Sequence, residues 1–514
     1  MQKVPVNICW LQLSSIAVMV FLGVTVAAQK NMAKQRQQLP NIIYIYADDL
    51  GYGELGCYGQ QKIKTPNIDR MAAEGIRFTR HYAGAPVCAP SRAMLMTGKH
   101  SGHAYIRGNY ELGGFADKEE GGQMPLPEGI LTLPKMLKQA GYTTALCGKW
   151  GLGMVGTSGE PSLQGFDYYY SVLDQKQAHN FYPTHLWENG KRDTLDNPVM
   201  NVHRPINPVK ATDDSFHYYR GKDYAIDKIT EKALRFIGHA GQKPFFLYLS
   251  FMLPHLSLQV PDKYISEYLG QFSEKPYYGQ SGYAAQKYPL SAYAAMITCL
   301  DRQVGLVFEK LKELGIDRNT LVMFSSDNGP TFHSSVDTKF FKSTAGLRGL
   351  KMDLYEGGIR VPFIARWPEV IRGGKTSDLI CSQYDLLATI AEMTGQSLSG
   401  ATDGISFLSE LKSSNNKQAK HEYLYFEYPE NGGQVAIVMG NWKGVRTQVR
   451  KNKNAPWQLY NLAADPSESN DLASVQPSLV RQFNTIQAKE HQCAGIRDWE
   501  FIDPKFDSRE FEKQ

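Results

Sequence analysis

Residues 41–51 read NIIYIYADDLG, an uninterrupted β-rich apolar run that stops at two carboxylates and a glycine. Three more runs have this form: YTTAL (142–146) before Gly148-Lys149-Trp150, PFFLYLSF (244–251) before Pro254-His255, and residues 321–324 before Asp327-Asn328-Gly329. Short runs that are apolar on both faces suit the buried strands of a parallel sheet. These four runs therefore predict the centre of one sheet.

Helical patterns separate the predicted strands along the chain. They cover residues 67–74, 132–140, 224–237 and 292–314. This alternation predicts an α/β fold, an open sheet with helices on both faces. Ligands of such sheets bind beyond the carboxyl ends of the strands. We therefore expect one site to contain the polar residues at those ends, which are Asp48, Asp49, Lys149, His255, Asp327 and Asn328.

The pattern of polar and apolar residues changes after Gly395. A polar stretch comes first, and it is followed by short strand-like runs at 434–438, 442–448 and 457–462 and by a helical segment at 477–491. This pattern predicts a smaller C-terminal α+β subdomain, an antiparallel sheet plus a helix, over residues 396–514. The catalytic α/β domain is predicted over residues 29–395.

Composition and charge exclude several classes of protein. Of the 514 residues 42% are hydrophobic and 21% charged, values that are ordinary for a globular protein and unlike a disordered, collagenous or coiled-coil one. The 56 Lys and Arg against 51 Asp and Glu leave a net charge of only +5, which argues against a nucleic-acid partner. The seven cysteines contain no C-x-x-C pair, so neither a disulfide scaffold nor a zinc ribbon is expected.

The first 28 residues have the pattern of a secretory signal peptide. Lys3 gives a positive start, residues 16–28 are almost wholly apolar, and Val26 and Ala28 occupy the small-residue positions before a cleavage site. The alternative is a membrane anchor, but the apolar run is shorter than the ~20 residues that span a bilayer. We expect an exported protein, in the periplasm of a Gram-negative bacterium, with no membrane span after cleavage.

The pairs Asp48-Asp49 and Asp327-Asn328 together indicate a metal site. Adjacent carboxylates that face one site repel each other, and a divalent cation relieves that repulsion. A set of oxygen ligands without thiolate or imidazole suits Ca²⁺ or Mg²⁺ and argues against zinc or copper. The alternative is that DDLG and DNG are turn sequences, because Asp, Asn and Gly all favour turns.

Cys88 begins the stretch CAPSRAMLMTG, residues 88–98. Pro90 suits the first turn of a helix, and the N-terminus of a helix is a natural site for an anion. Arg92 would add a guanidinium that is always charged. From these residues alone, Cys88 is either a thiolate nucleophile or a small buried apolar side chain.

The run Cys88-Ala89-Pro90-Ser91-Arg92, followed by Thr97-Gly98, resembles the signature C-x-P-S-R-x4-T-G of the type I sulfatases. Further blocks of that family occur in order, and they are Asp48-Asp49, Gly148-Lys149-Trp150, Pro254-His255, Asp327-Asn328-Gly329, RGLK (348–351), YEGGIRVP (355–362), LYNL (459–462) and DPSE (465–468). The resemblance spans nearly the whole mature chain. It implies an alkaline-phosphatase-like fold, in which helices flank a large mixed sheet.

The resemblance also implies a cofactor set. In this family a sulfatase-maturing enzyme converts the signature cysteine, here Cys88, to formylglycine (3-oxoalanine). That residue shares a Ca²⁺ site with the matched metal blocks, which here are Asp48, Asp49, Asp327 and Asn328. The hydrated aldehyde, polarised by Ca²⁺ and Arg92, attacks the sulfate sulfur of the substrate in this family.

Three further positions receive catalytic roles from the resemblance. Lys149 and Lys351 would hold the sulfate oxygens and offset charge in the transition state. His255 would protonate the leaving sugar oxygen. Taken without their motifs, the two lysines are equally well explained as ordinary solvated lysines.

One position departs from the family pattern. Many members read G-K-W-H-L-G, where the histidine contacts the hydrated aldehyde, but this chain reads GKWGLG with Gly151 in that place. His179 and His185 lie just downstream in QAHNFYPTHLW (177–187). We expect them to bind substrate, and one of them, His179 first, to take over part of the missing work. The alternative for each is a loop histidine that only contacts sugar or packs structurally.

The expected substrate rests on resemblance as well. QGFDY (164–168) and the aromatic loop 168–187 resemble secreted bacterial sulfatases that act on galacto-configured sugars, and more loosely the galactosamine-6-sulfatases. We expect an exo-acting sulfatase on sulfated galactose or N-acetylgalactosamine from mucin-type or glycosaminoglycan fragments, with the 4-position favoured over the 6-position. Two rivals stay open: a phosphodiesterase or phosphonate monoester hydrolase of the same superfamily, and a glycan-binding pseudoenzyme with unmodified Cys88.

Overall fold

The computed structural model describes residues 39–502, apart from 240, 242, 399–401 and 413–416. The predicted signal peptide, residues 1–28, lies outside the described residues and stays a prediction. Within the described part of the chain, no helix is long and apolar enough to cross a membrane.

Sixteen strands occur in the described residues. Numbered along the chain, they are β1 (Asn41–Ala47), β2 (Ile76–Phe78), β3 (His81–Tyr82), β4 (Thr143–Lys149), β5 (Tyr168–Val172), β6 (His185–Glu188), β7 (Lys191–Thr194), β8 (Phe245–Ser250), β9 (Thr320–Ser326), β10 (Phe363–Arg366), β11 (Lys375–Ser377), β12 (Cys381–Ser382), β13 (Leu424–Tyr428), β14 (Gln434–Met439), β15 (Trp442–Arg446) and β16 (Gln458–Asn461). Ten of them form one large sheet in the order β11-β2-β10-β9-β1-β8-β4-β5-β6-β7. β3 pairs with β12, and β13 to β16 form a separate sheet.

Strand β1 lies inside the large sheet, parallel to β9 on one side and to β8 on the other. β4 continues the parallel set beside β8, and β5 continues it beside β4. β10 and β6 then pair antiparallel with β9 and β5, so the sheet is mixed. The four runs predicted from the sequence are β1, β4, β8 and β9, and the predicted fold class is confirmed.

Both faces of β1 are buried. Ile43 and Ile45 pack in one apolar core, and Tyr44 and Tyr46 pack in the other. Successive side chains of a strand point to opposite faces of its sheet. A strand covered on both sides therefore needs consecutive apolar residues, which is the pattern that the sequence shows.

Helices pack against both faces of the large sheet. Within the described residues they are α1 (Pro66–Glu74), α2 (Cys88–Thr97), α3 (Leu133–Gln139), α4 (Asp213–His217), α5 (Ala225–His239), α6 (Asp262–Ile265), α7 (Pro289–Glu313), α8 (Glu356–Ile359), α9 (Asp385–Thr394), α10 (Leu408–Lys412) and α11 (Pro477–Glu490). α1, α5 and α7 pack on the first core, and α2, α3, α9 and α10 pack on the second. The four predicted helices are α1, α3, α5 and α7. α7 begins earlier than predicted, at Pro289, because proline suits the first turn of a helix.

The smaller sheet, β13 to β16, is antiparallel and follows chain order. Phe483 and Ile486 of α11 pack with Trp457 in a core of their own beside this sheet. The predicted α+β character of the C-terminal part is therefore confirmed, although the sequence analysis did not pick out β13. Phe407 and Leu411 lie beyond Gly395, yet they pack in the second core of the large sheet.

Lys443 on β15 connects the smaller sheet to α8 through a buried ion pair. Its ammonium group lies 2.9 Å from Glu356 Oε1 and 3.2 Å from Glu468 Oε1, and all three side chains are fully buried. Glu356 begins α8, which follows the loop that carries Lys351. The smaller sheet therefore fixes one end of that loop.

We expect Lys443→Met to lower the free energy of unfolding by about 3–5 kcal/mol, because it leaves the buried Glu468 carboxylate without a countercharge and leaves Glu356 with Arg360 alone. Urea unfolding of the variant beside the wild type measures the difference. Lys222→Met is the matched control, since Lys222 and Asp196 form an exposed pair whose loss should leave the midpoint unchanged. A Lys443→Met protein as stable as the wild type would contradict this prediction.

Candidate active site

The predicted site residues meet at the carboxyl ends of the parallel strands. Asp48 and Asp49 follow β1, Lys149 is the last residue of β4, and Asp327 follows β9. Asp49 has a φ of 64°, in the left-handed region that aspartate tolerates better than most residues. Its backbone N–H donates to Asp327 Oδ1 at 3.1 Å. The two strand ends are therefore tied together directly.

Cys88 is the first residue of α2, and Val87 before it is extended. Arg92 comes one helical turn later, so the two side chains lie on the same side of the helix. Cys88 Sγ lies 3.2 Å from Asp48 Oδ1 and 3.5 Å from Lys351 Nζ. The start of α2 therefore presents Cys88 to the group at the strand ends.

Three buried carboxylates are matched by three cations. The closest N–O distances are Arg92–Asp327 (2.8 Å), Lys149–Asp48 (2.6 Å) and Lys351–Asp49 (2.8 Å). Three charges of each sign leave the group neutral, and a bound divalent cation would leave it with two positive charges. A buried group with excess positive charge attracts an anionic substrate.

The buried charges alter one another's ionisation. Burial opposes the ionisation of Asp48, but Lys149 and His255 hold its pKa well below the ordinary value. Burial and the Asp48 carboxylate raise the pKa of Asp327 to about 7, although Arg92 acts in the opposite direction. Asp327 therefore experiences repulsion that its guanidinium partner does not fully relieve, and a further cation nearby would relieve it.

A divalent metal fits this group. Asn328 Nδ2 donates to Asp49 Oδ1 at 2.8 Å, whereas Asn328 Oδ1 is buried and has no hydrogen-bond partner among the described residues. Buried polar atoms are rarely left without a partner, and an amide oxygen is an ordinary ligand of Ca²⁺. Ligand atoms of Asp48, Asp49, Cys88 and His255 lie within 4.8 Å of one another. Asp48, Asp49, Asp327 and Asn328 could hold Ca²⁺ through oxygen atoms.

Cys88 is not activated as a thiol. Burial and the Asp327 and Asp48 carboxylates raise its pKa well above the ordinary value, although Lys149 and Lys351 act in the opposite direction. The thiolate is the nucleophilic form of cysteine. The surroundings therefore argue against thiolate chemistry at this position.

His255 lies beside the charged group. Its Nδ1–H donates to the Leu256 carbonyl at 2.6 Å, and its Nε2 lies 3.6 Å from Asp49 Oδ2. Burial and the Lys351 ammonium lower the pKa of His255 to about 4. The ring is therefore neutral and held with Nε2 toward the reactive group.

His179 lies beside His255 and lines the same cavity as Cys88. Its ring stacks on that of His255 with 5.1 Å between centroids, and its Nδ1 lies 3.3 Å from His203 Nε2. Burial and these two histidines lower its pKa well below the ordinary value. The Tyr283 ring lies 4.9 Å from the His179 centroid and 6.1 Å from that of His255. The structure thus brings His179 into the site, as expected from the sequence.

His185 is placed elsewhere. Its Nε2 lies 3.1 Å from Glu120 Oε2, and its Nδ1 lies 3.1 Å from Thr184 Oγ1. Trp187 Nε1 donates to the same glutamate at 2.9 Å. These contacts are those of a packed structural histidine, which is the alternative that the sequence left open.

Several cavity residues were missed by the sequence analysis. Those that line the cavity with Cys88 include Asn109, Glu111, Gln175, Tyr283, Phe332, His333 and Glu430. They come from several loops, most of them between or just after the family motifs. No spacing pattern in the sequence marks them as neighbours.

Comparison with known proteins agrees with this geometry. The sulfatase family profile matches residues 40–396, and the profile named N-sulphoglucosamine sulphohydrolase, C-terminal, matches residues 350–493. The N-acetylgalactosamine-6-O-sulfatase of Bacteroides thetaiotaomicron is 31% identical over an alignment that covers 88% of this chain and 93% of that protein. Mouse N-acetylgalactosamine-6-sulfatase is 32% identical, with coverage of 90% and 88%.

A solved structure shares the fold. The crystal structure of Ps i-CgsB in complex with k-i-k-neocarrahexaose superimposes with a TM-score of 0.72 at 27% identity, over 91% of this chain and 96% of that chain. The family profile covers more than half of the chain, and the two relatives match nearly nine tenths of it or more. The chain therefore belongs to the sulfatase family and is a sulfuric ester hydrolase.

Proposed function

We propose that this sulfatase hydrolyses sulfate esters on carbohydrates at the cavity that Cys88 lines. The observation that carries the proposal is the position of Cys88 at a helix N-terminus, with its Sγ 3.5 Å from the Lys351 ammonium. Such surroundings suit an anionic ester better than a neutral one. The names of the two relatives, both sulfatases of N-acetylgalactosamine, support a carbohydrate substrate.

Two further groups complete the proposed site. Formylglycine formed from Cys88 by a sulfatase-maturing enzyme would supply a hydrated aldehyde as the nucleophile, in place of a thiol that does not ionise here. Ca²⁺ would supply positive charge beside it. The proposed ligands from the chain are Asp48, Asp49, Asp327 and Asn328.

Lys149 and Lys351 are proposed to bind the sulfate oxygens. Each ammonium group contacts one of the adjacent carboxylates, so its position is fixed before substrate arrives. Donors held in place in a site that excludes water stabilise developing charge without reorganising. Arg92 supports them indirectly, because its Nε and Nη2 both donate to Asp327 Oδ2 at 3.2 and 2.8 Å.

His255 is proposed to protonate the leaving sugar oxygen. Its Nδ1–H is bonded to the Leu256 carbonyl, so Nε2 is the atom that gains and gives the proton. Burial and Lys351 keep the pKa low without substrate. A bound sulfate anion offsets the Lys351 charge and raises that pKa, so the imidazolium forms when the substrate is present.

The proposed substrate is an exo-terminal sulfated galactose or N-acetylgalactosamine. His179, Tyr283 and His333 give the cavity an aromatic wall, with ring centroids 4.9 and 5.0 Å apart along it. Aromatic faces of this kind suit a sugar ring. The sequence resemblance favours the 4-sulfate and the two relatives are named as 6-sulfatases, so both esters belong in the assay.

The proposed location is the periplasm of a Gram-negative bacterium, reached through cleavage near Ala28. This proposal rests on the positive start and apolar run of the first residues. N-terminal sequencing of the protein secreted into the periplasm tests it.

We expect protein made with a sulfatase-maturing enzyme to carry the aldehyde at Cys88 and to release sulfate from galactose or N-acetylgalactosamine sulfates. Mass spectrometry of the tryptic peptide with Cys88 measures conversion, and ion chromatography measures sulfate. Cys88→Ala should fold normally and lose at least about a thousandfold in kcat, because the nucleophile is removed.

The same assay separates the rival functions. Full conversion with turnover of phosphate esters or phosphonates, and none of sulfate esters, would favour the phosphoester hydrolase. Full conversion with glycan binding and no turnover would favour the pseudoenzyme. Either result would contradict the proposed function.

We expect Ca²⁺ to stabilise the protein after treatment with EDTA. A ligand that binds only the folded state at a hundred times its Kd adds about 2.7 kcal/mol of stability. Differential scanning fluorimetry should therefore show a Tm higher by a few degrees with Ca²⁺. Asn328→Ala should abolish the shift, and the exposed-site control Asp196→Asn should keep it. A wild-type Tm that does not respond to Ca²⁺ would refute the site.

We expect His179→Ala to lower kcat/KM about ten- to a hundredfold, because it removes a cavity-wall contact and the stacking support of His255. His185→Ala is the matched control, since His185 lies outside the cavity, and it should keep wild-type kinetics. Steady-state kinetics on the best sulfated sugar measure both. Equal kinetics for His179→Ala and the wild type would rule out a role for His179 in the reaction.

A further inference from the structure

Gln175 lies on the wall of the cavity that holds Cys88, Lys149 and Lys351. Its side chain is buried, and its Nε2 has no hydrogen-bond partner in the described part of the chain. Its backbone is held, because its N–H donates to Gln123 Oε1 at 3.1 Å. A buried amide without a partner destabilises a fold unless a ligand completes it. The Gln175 amide therefore offers an unused hydrogen-bond donor to the cavity that Cys88 also lines.

The Gln175 side chain packs against Gly151. A Cβ at Gly151 would lie 3.0 Å from Gln175 Cδ and 3.1 Å from its Nε2, closer than packed side chains normally approach. The space that a side chain at position 151 would enter is therefore filled by Gln175. The absence of a side chain at Gly151 therefore leaves the room that the Gln175 side chain needs.

The backbone places Gln175 on the segment that runs beside the end of β4, the strand that carries Lys149. β4 and β5 are parallel, and Lys149 at the end of β4 pairs with Val172 at the end of β5. The chain continues side by side beyond them, where Gly151 N–H donates to the Leu173 carbonyl at 3.2 Å. Gln175 therefore extends beside Lys149, the lysine assigned to the sulfate oxygens.

We propose that Gln175 is a substrate-binding residue whose Nε2 donates a hydrogen bond to an oxygen of the sulfate group. This inference rests on the proposed sulfatase function of the same cavity. The amide adds a donor without adding charge, and it keeps that donor at every pH at which the protein is folded. An imidazole in the same place would lose or gain charge near neutral pH.

The test measures the affinity for inorganic sulfate, by competitive inhibition and by calorimetry. We expect Gln175→Ala to weaken sulfate binding about ten- to a hundredfold, as for loss of a hydrogen bond to a charged group, with a parallel loss in kcat/KM. Gln175→Glu should weaken it further, because a carboxylate repels sulfate. Wild-type sulfate affinity in Gln175→Ala would overturn the proposal.

A matched control separates binding from packing. Gln164 is also buried, but its Nε2 donates to the Ser158 carbonyl at 2.7 Å and it does not line the cavity. Gln164→Ala should lower the Tm and keep the wild-type affinity for sulfate. If Gln164→Ala weakened sulfate binding as much as Gln175→Ala, the effect would be structural and the proposal would be wrong.

A second comparison tests the shared space. Gly151→His should lower the Tm in both backgrounds, because a φ of 74° strains any side chain, and it should lower the Tm more in the wild type, where the new side chain also collides with Gln175. Equal losses in the two backgrounds would contradict the steric part of the argument. A wild-type protein that binds sulfate but releases none from any sulfated sugar would count against the proposed function alone, because sulfate affinity still tests Gln175.

Discussion

Repulsion among three carboxylates, buried at the ends of two parallel strands, is the constraint on which the site depends. Asp48, Asp49 and Asp327 lie together where water cannot screen them. Each is paired with its own cation, and the chain supplies one from a helix, one from another strand of the same sheet and one from a loop. The geometry of the site therefore follows from the balance of these buried charges, and a bound divalent metal would shift that balance toward anions.

The features predicted correctly from the sequence are those that depend on residues close together in the chain. The apolar runs identified β1, β4, β8 and β9, and the residues after them were expected in one site because parallel strands end at one edge. His179 and His185 show the limit, since both lie in one loop but only His179 enters the cavity. Which of two nearby side chains faces a site depends on the path of the loop, and that path is set by distant partners such as Glu120.

The smaller sheet supports the position of Cys88 as well as the loop that carries Lys351. Glu430, just beyond β13, accepts a hydrogen bond from the backbone N–H of Asn109 at 2.6 Å and one from the Tyr428 hydroxyl at 3.1 Å. The Asn109 side chain in turn accepts the Ala89 N–H at 3.3 Å, at the residue after Cys88. The C-terminal part of the chain is therefore coupled to the position of Cys88 through consecutive hydrogen bonds.

The edge of the large sheet where β4 and β5 end explains how the motif GKWGLG can have a glycine at position 151. Strands β4 and β5 run side by side, so residues that follow them approach the same space from two directions. A side chain absent at Gly151 leaves room that Gln175 fills from the next strand. Along the chain the motif therefore lacks a side chain at position 151, whereas in the folded sheet the Gln175 side chain occupies that space. A donor that is missing after one strand can therefore be supplied by a residue that follows the strand beside it.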